Sequence, residues 1–301
     1  MGAHGLEARI AALIAEEALP TAYADTVRAH WMPLAANLAA RRAAAGRPLL
    51  IGINGPQGSG KSSLCRFVEM LLQEAHGLRA ATLSLDDVYL TRAAREALGR
   101  DVHPLLRTRG VPGTHDLPLA EAVITAALSG AGEVALPRFD KAADDRRPEA
   151  DWPHITAPLD ILLFEGWCMG AEPMPETGLA APINSLEAEE DPDGRWRQAI
   201  NTALNTGYRQ LFARLDALVF LEAPGFAPVL AWRTQQEHKL RARSGPAAGP
   251  AAAGMDDAAI ARFVAHYERL TRHMLATLPG RADIVMKLDE QRRIGAIVGL
   301  A

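Results

Sequence analysis

Gly55-Pro56-Gln57-Gly58-Ser59-Gly60-Lys61-Ser62 decides the fold of this 301-residue chain. The stretch spells G-x-x-x-x-G-K-S, a phosphate-binding P-loop. Before it, Leu49-Leu50-Ile51-Gly52-Ile53 reads as a short buried strand. After it, Ser62 to Glu74 carries apolar residues at Leu64, Phe67, Val68, Leu71 and Leu72, a helical spacing. Strand, glycine-rich turn and helix is the context the motif requires. Backbone N–H groups of such a loop converge on one point and attract anionic phosphate. Gly58 and Gly60 let the backbone approach because no Cβ intervenes. Gly55, Pro56, Gln57, Gly58, Ser59, Gly60, Lys61, Ser62 and Ser63 are therefore expected to hold the phosphates of ATP. Lys61 would reach the β- and γ-phosphates, and the Ser62 hydroxyl would ligate Mg²⁺.

The rest of the composition sets bounds. The formal charge of −4, with both signs mixed, argues against a nucleic-acid surface. No run approaches the ~18 apolar residues of a membrane span. The N-terminal stretch carries Glu7, Glu16 and Glu17 and lacks the basic start and apolar core of a secretory signal. Two cysteines, Cys65 and Cys168, read as buried free thiols, which suits a reducing, cytoplasmic setting.

Strand patterns at Leu49–Ile53, Ala80–Leu85, Asp160–Phe164, Ala217–Leu221 and Ile284–Leu288 alternate with helical patterns at 62–75, 118–128, 195–214 and 256–278. Such alternation predicts an α/β fold with a parallel sheet covered on both faces. Residues 1–46 read as a helical appendage, with helices broken near Pro20 and Pro33, ahead of a kinase-sized domain over 47–301. Met169 to Asp193 reads as an exposed insertion whose acidic run, Glu187 to Asp191, is a solvated face. Ser244 to Pro250 reads as a loop.

The second strand runs into Ser84-Leu85-Asp86-Asp87-Val88-Tyr89-Leu90. Strand C-terminal ends line the ligand crevice of such sheets, so Asp86 and Asp87 belong near the γ-phosphate. A carboxylate there can take the proton of an attacking hydroxyl, or simply cap a turn. The third strand ends in Glu165, the acid that would help hold Mg²⁺ directly or through water. Two loop clusters, 107–116 and 136–147, mix arginine, lysine and acids, as an anionic acceptor requires. Phe139 is their only aromatic, which disfavours a stacked nucleoside. The basic stretch Trp232 to Arg243, within a segment of about 230–255, reads as a lid that brings Arg233 and Arg241 over developing charge. No N-K-x-D base reader is present, so a GTPase is not indicated.

These segments together resemble the D-glycerate 3-kinase family, of the phosphoribulokinase, uridine kinase and pantothenate kinase group of P-loop kinases. The resemblance rests on S-x-D-D-x-Y-L at 84–90, R-G-x-P-G-T-H-D at 109–116, L-P-R-F-D-K at 136–141, D-R at 145–146, L-F-E-G-W at 163–167, W-R-x-Q-x-E at 232–237 and G-M-x-D at 254–257. It covers the chain from about residue 48 onward. It implies a P-loop NTPase fold with a five-stranded parallel core, and transfer of the ATP γ-phosphoryl group to the 3-hydroxyl of D-glycerate. It further implies Asp86 as the base, Lys61 and Arg233 as stabilising cations, and Asp87, Tyr89, Arg109, His115, Asp140, Lys141 and Arg146 as acceptor contacts. Two readings stand beside it: a related kinase for a nucleoside, pantothenate or sugar acid, and an ATP-dependent regulatory switch.

Overall fold

A computed structural model describes residues 3–244 and 256–300, with side chains at 4–238 and 256–300. The expected loop at 244–250 beyond Ser244, which ends a helix, the distal lid to 255, the Arg241 side chain and the first half of G-M-x-D lie outside these residues. The strands are β1 (Leu49–Asn54), β2 (Ala80–Ser84), β3 (Gly132–Ala135), β4 (Phe139–Asp140), β5 (Asp145–Arg146), β6 (His154–Ala157), β7 (Ile161–Gly166), β8 (Ala217–Glu222), β9 (Ile284–Leu288) and β10 (Ile294–Val298). The helices are α1 (Ala3–Glu16), α2 (Tyr23–Thr26), α3 (Met32–Ala45), α4 (Lys61–His76), α5 (Arg92–Asp101), α6 (Leu117–Ser129), α7 (Ser185–Glu190), α8 (Arg195–Ala203), α9 (Arg209–Phe212), α10 (Phe226–Ser244) and α11 (Asp257–Thr277).

The main sheet has the order β10-β9-β8-β1-β7-β2. Its five expected strands are parallel, and β10 adds an antiparallel edge through a register shift. Alternation along β1 splits the core. Leu49, Ile51 and Ile53 face α1, α3 and α4, with Trp31, Leu38, Phe67 and Trp232 in the same apolar layer. Leu50 faces the other side, with Ile124, Leu204, Tyr208 and Tyr267. Both faces of β1 and β7 are buried throughout, which is why they read as unbroken apolar runs. Among the described residues no helix is long and apolar enough to cross a membrane. Cys65 and Cys168 are buried and unpaired with each other, as expected.

Three expectations need correction. Pro33 does not end a helix. The chain is helical from Tyr23 to Ala45, and a π turn at Val27–Trp31 immediately precedes the proline. The wider turn accommodates the missing N–H and the ring's clash with the carbonyl one turn back. The two small sheets, β3 with β6 and β4 with β5, escape the sequence reading because two- and four-residue strands carry too little pattern.

The acidic run is a solvated face only at its centre, where Ala188, Glu189 and Glu190 are exposed. Glu187 and Asp191 are fully buried. Arg269 donates to both Glu187 oxygens at 2.8 and 2.5 Å, and Arg197 lies 3.4 Å from Asp191 and 3.8 Å from Glu187. Asp191 also accepts the Trp196 amide at 2.7 Å, so it starts α8. The pattern of alternating exposure is short, and only tertiary contact with α11 reveals which acids turn inward. Glu187→Ala removes both carboxylate bonds of the largely buried Arg269 guanidinium, so urea unfolding is expected to show a loss of about 3–5 kcal/mol. A loss below about 1 kcal/mol, the range of an exposed pair, would show that the cluster is solvated after all.

Candidate active site

The parallel register brings the chemistry together. Ile53 of β1 and Ser84 of β2 both lie opposite Glu165 of β7, so three strand ends meet where the P-loop begins. Glu165 Oε1 accepts from Ser62 Oγ at 3.1 Å and from Ser84 Oγ at 2.9 Å. Lys61 Nζ lies 3.8 Å from Glu165 Oε2, beyond hydrogen-bond range, and that oxygen is buried with no hydrogen-bond partner. A buried, under-satisfied carboxylate oxygen beside a serine hydroxyl is a donor set that suits Mg²⁺.

The loop itself is shaped for an anion. Gly58 and Gly60 adopt φ of +77° and +90°, and a Cβ at Gly58 would press into Trp232 at 2.8 Å. Helix α4 begins at Lys61, so its free amides point into the loop. Pro56 supplies the carbonyl that closes the loop turn, accepting Ser59 N–H at 3.2 Å. Gln57 Oε1 and Ser59 Oγ are buried without partners, whereas Ser63 turns away and donates to Glu17 at 3.4 Å. A Cβ at Gly55 would meet Ser59 Oγ at 2.6 Å.

After β2, a 3₁₀ turn over Leu85–Val88 is started by Ser84, whose Oγ accepts the Asp86 amide at 3.2 Å. This directs Asp86 toward the P-loop side. Tyr89 donates to Asp86 Oδ1 at 2.6 Å and Lys141 to Oδ2 at 2.8 Å. Burial pushes this carboxyl upward, but Lys141, Lys61 and the two hydrogen bonds outweigh it and hold it well below the usual range. Asp87 behaves oppositely. Burial raises it to about 6, against Arg138 and the Phe139 amide, with Asp86 and Glu165 adding repulsion. Its contacts are Arg138 at 3.4 Å and the Phe139 N–H at 3.2 Å, so it anchors the β4 hairpin.

That hairpin delivers Lys141. Asp140 accepts the Ala142 and Ala143 amides at 2.8 and 3.0 Å, which turns the chain and aims Lys141 at Asp86. Arg146 donates to the Tyr89 carbonyl at 2.8 Å and to Asp116 at 2.9 Å, tying β5 to the 109–116 loop. Arg109 pairs with Asp144 and lies over Phe139, 5.4 Å from the ring centroid. His115 is buried, stacked on Tyr89 at 4.7 Å, and bonded through Nδ1 to Tyr208. Burial lowers His115 to about 3 despite nearby Asp86, so the ring is neutral at physiological pH. Arg233 pairs with Glu237 at 2.8 Å on α10 and lies over Phe263.

The structure thus gathers Lys61, Ser62, Asp86, Tyr89, Lys141 and Glu165 into one contact network. Asp87, Asp140 and Arg146 hold the loops that carry it. Sequence reasoning missed Ser84, Tyr208 and Tyr267 as parts of the site. Tyr267 donates to the Arg109 carbonyl at 2.9 Å, and its hydroxyl fills the space a Cβ on Gly110 would need. Gly110, at φ +126°, is therefore fixed as glycine. Only a helical stripe marks Tyr208 and Tyr267 in the sequence, indistinguishable there from core residues.

No family model matches the chain. An uncharacterized kinase of Schizosaccharomyces pombe is 33% identical over 265 residues, covering 82% of this chain and 90% of that protein. The chloroplastic D-glycerate 3-kinase of Arabidopsis thaliana is 32% identical over 263 residues, covering 81% of this chain. The chain spans 53% of that enzyme's length. The solved structure of a D-glycerate 3-kinase from Cryptococcus neoformans superposes with a TM-score of 0.72 at 26% identity, covering 91% of this chain and 98% of that one. The chain belongs to the D-glycerate 3-kinase family of ATP-dependent P-loop kinases.

The raised Asp87 carboxyl has a stability consequence with a definite sign. The folded state holds a proton there up to about pH 6, whereas the unfolded chain releases it near pH 4, so stability falls as pH rises between those values. Asp87→Asn removes the charge and is expected to raise unfolding free energy at pH 7.5 by about 1–3 kcal/mol. The gain should vanish below about pH 4, where both states of the wild type are protonated. Urea titrations at the two pH values measure it, and an equal effect at both would disprove the assignment.

Proposed function

We propose that this protein transfers the γ-phosphoryl group of ATP to the 3-hydroxyl of D-glycerate, giving 3-phosphoglycerate. One observation carries the reading. An ionised carboxylate, Asp86, is bonded on one oxygen to Lys141 of a basic loop and lies in the field of P-loop Lys61. In this reading the acceptor turns its hydroxyl toward Asp86 and its carboxylate toward the loop cations. The relatives' names support the acceptor, and the family supports ATP.

In this reading the P-loop amides and Lys61 bind the β- and γ-phosphates. Ser62 and Glu165 would hold Mg²⁺, which supplies charge neutralisation on the phosphates. Arg233, at the root of the proposed lid over about 230–255, adds positive charge on the transferring group. Residues 1–46 act as an N-terminal brace on the kinase domain over 47–301.

Asp86 orients the acceptor hydroxyl and takes its proton. Its depressed pKa makes it a weak base while Lys141 is bound to it. A substrate carboxylate gives Lys141 a second partner, and any shift of Lys141 toward it frees Asp86 Oδ2 and raises its basicity. Phosphoryl transfer through a loose transition state asks more of positioning than of base strength, so a weak carboxylate suffices.

ADP release with MgATP and D-glycerate, L-glycerate, uridine, pantothenate or no acceptor tests the function. Stimulation by D-glycerate with 3-phosphoglycerate as product is expected, and stimulation by another acceptor alone would replace the reading. Asp86→Ala is expected to lower turnover by roughly 10²–10⁴-fold with ATP binding retained. Near wild-type turnover would remove Asp86 from this role. Lys141→Met is expected to raise KM for D-glycerate about tenfold or more, with KM for ATP little changed. Parallel rises in both constants would place Lys141 on the nucleotide instead.

A further inference from the structure

Tyr208 closes a π turn, Leu204–Tyr208, between α8 and α9, and its side chain is buried. Such turns re-aim side chains and recur at functional sites. Its hydroxyl accepts the Gly113 N–H at 3.0 Å. A phenol has one proton and two acceptor positions. With the Gly113 amide on its oxygen, the one acceptor bonded to the Tyr208 hydroxyl among the described residues is His115 Nδ1, so the phenol proton goes there. An accepting Nδ1 in a neutral imidazole puts the ring proton on Nε2. His115 Nε2 is buried and has no hydrogen-bond partner among the described residues. A buried donor without an acceptor is rare in folded proteins. This one sits on a ring stacked against Tyr89, whose own hydroxyl is bonded to Asp86.

We propose that Tyr208 is a positioning residue that locks His115 in its Nε2–H tautomer, so that His115 presents a neutral, fixed donor to an oxygen of the acceptor substrate. The proposal deepens the function above and rests on it for the identity of that acceptor. A neutral donor complements Lys141 and Arg109. Cations bind any anion from many directions, whereas a single N–H, fixed by a hydroxyl that is itself held by the Gly113 amide, selects an oxygen at one place.

The tautomer is read directly. Two-bond ¹⁵N–¹H correlation spectra of histidine-labelled protein at pH 7, without ligand, are assigned by loss of one signal set in His115→Gln. The wild type is expected to show His115 protonated on Nε2, and Tyr208→Phe a mixture of tautomers. A wild type protonated on Nδ1, or an unchanged tautomer in Tyr208→Phe, overturns the proposal.

Kinetics separate positioning from mere packing. Tyr208→Phe is expected to raise KM for the acceptor about tenfold, the worth of one hydrogen bond, and to leave KM for ATP within about twofold. Glutamine keeps an N–H donor but has no tautomer to lose. In the His115→Gln background, Tyr208→Phe should therefore cost nothing further in acceptor KM. An equal cost in both backgrounds assigns Tyr208 a structural role only and overturns the proposal. The spectra need no substrate, so failure of the wild type to phosphorylate D-glycerate would sink the acceptor reading alone. The kinetic arms would then run on the acceptor that the wild type does phosphorylate.

Discussion

A buried carboxylate with too few partners governs this molecule. Glu165 is 6% exposed, and burial of a charge is tolerated only where partners surround it. Ser62 and Lys61 come from the first turn of the P-loop helix and Ser84 from the end of β2. Those three can meet only if β7 lies between β1 and β2 in parallel register, as it does. The strand order and the site are thus one constraint seen twice.

The same economy explains two adjacent aspartates with opposite behaviour. Asp86 and Asp87 share a turn, yet one is held far below the usual carboxylate range and the other is pushed up to about 6. Burial raises both. The difference is in the partners, because Asp86 has a lysine and a phenol on its oxygens whereas Asp87 has a long contact to Arg138 and one amide. Neighbouring like charges favour such a division, with one group ionised and one held protonated in the scaffold.

Much of this was legible in the chain itself. The P-loop and the five parallel strands announce themselves because buried parallel strands are continuously apolar and the glycine spacing is dictated by backbone approach. Glu165 and Asp86 could be placed because strand ends line the crevice. What stayed hidden depended on contacts far apart in sequence. Glu187 and Asp191 looked like a solvated run until Arg197 and Arg269 supplied buried partners. Asp140 and Arg146, expected as acceptor contacts, also bond the hairpin amides and Asp116, ties that no local pattern announces. Tyr208 and Tyr267 lie on apolar helical stripes, and nothing local distinguishes a tyrosine that aims its hydroxyl at a loop from one that fills space.

The N-terminal helices end in a contact that changes how the enzyme can move. Glu17, just past α1, accepts from Ser63 and pairs with Arg66, both in the first two turns of α4. The root of α10 presses on the same loop from above, where Trp232 meets Gly58 and donates to the Glu290 carbonyl at 2.7 Å. The phosphate cradle is therefore the fixed jaw of a vice, clamped from both ends. In the proposed function, closure around the acceptor falls to the parts not tied to that cradle: the hairpin that carries Lys141, the 109–116 loop and the lid. In that reading, acceptor choice and nucleotide grip sit on separate parts of the chain.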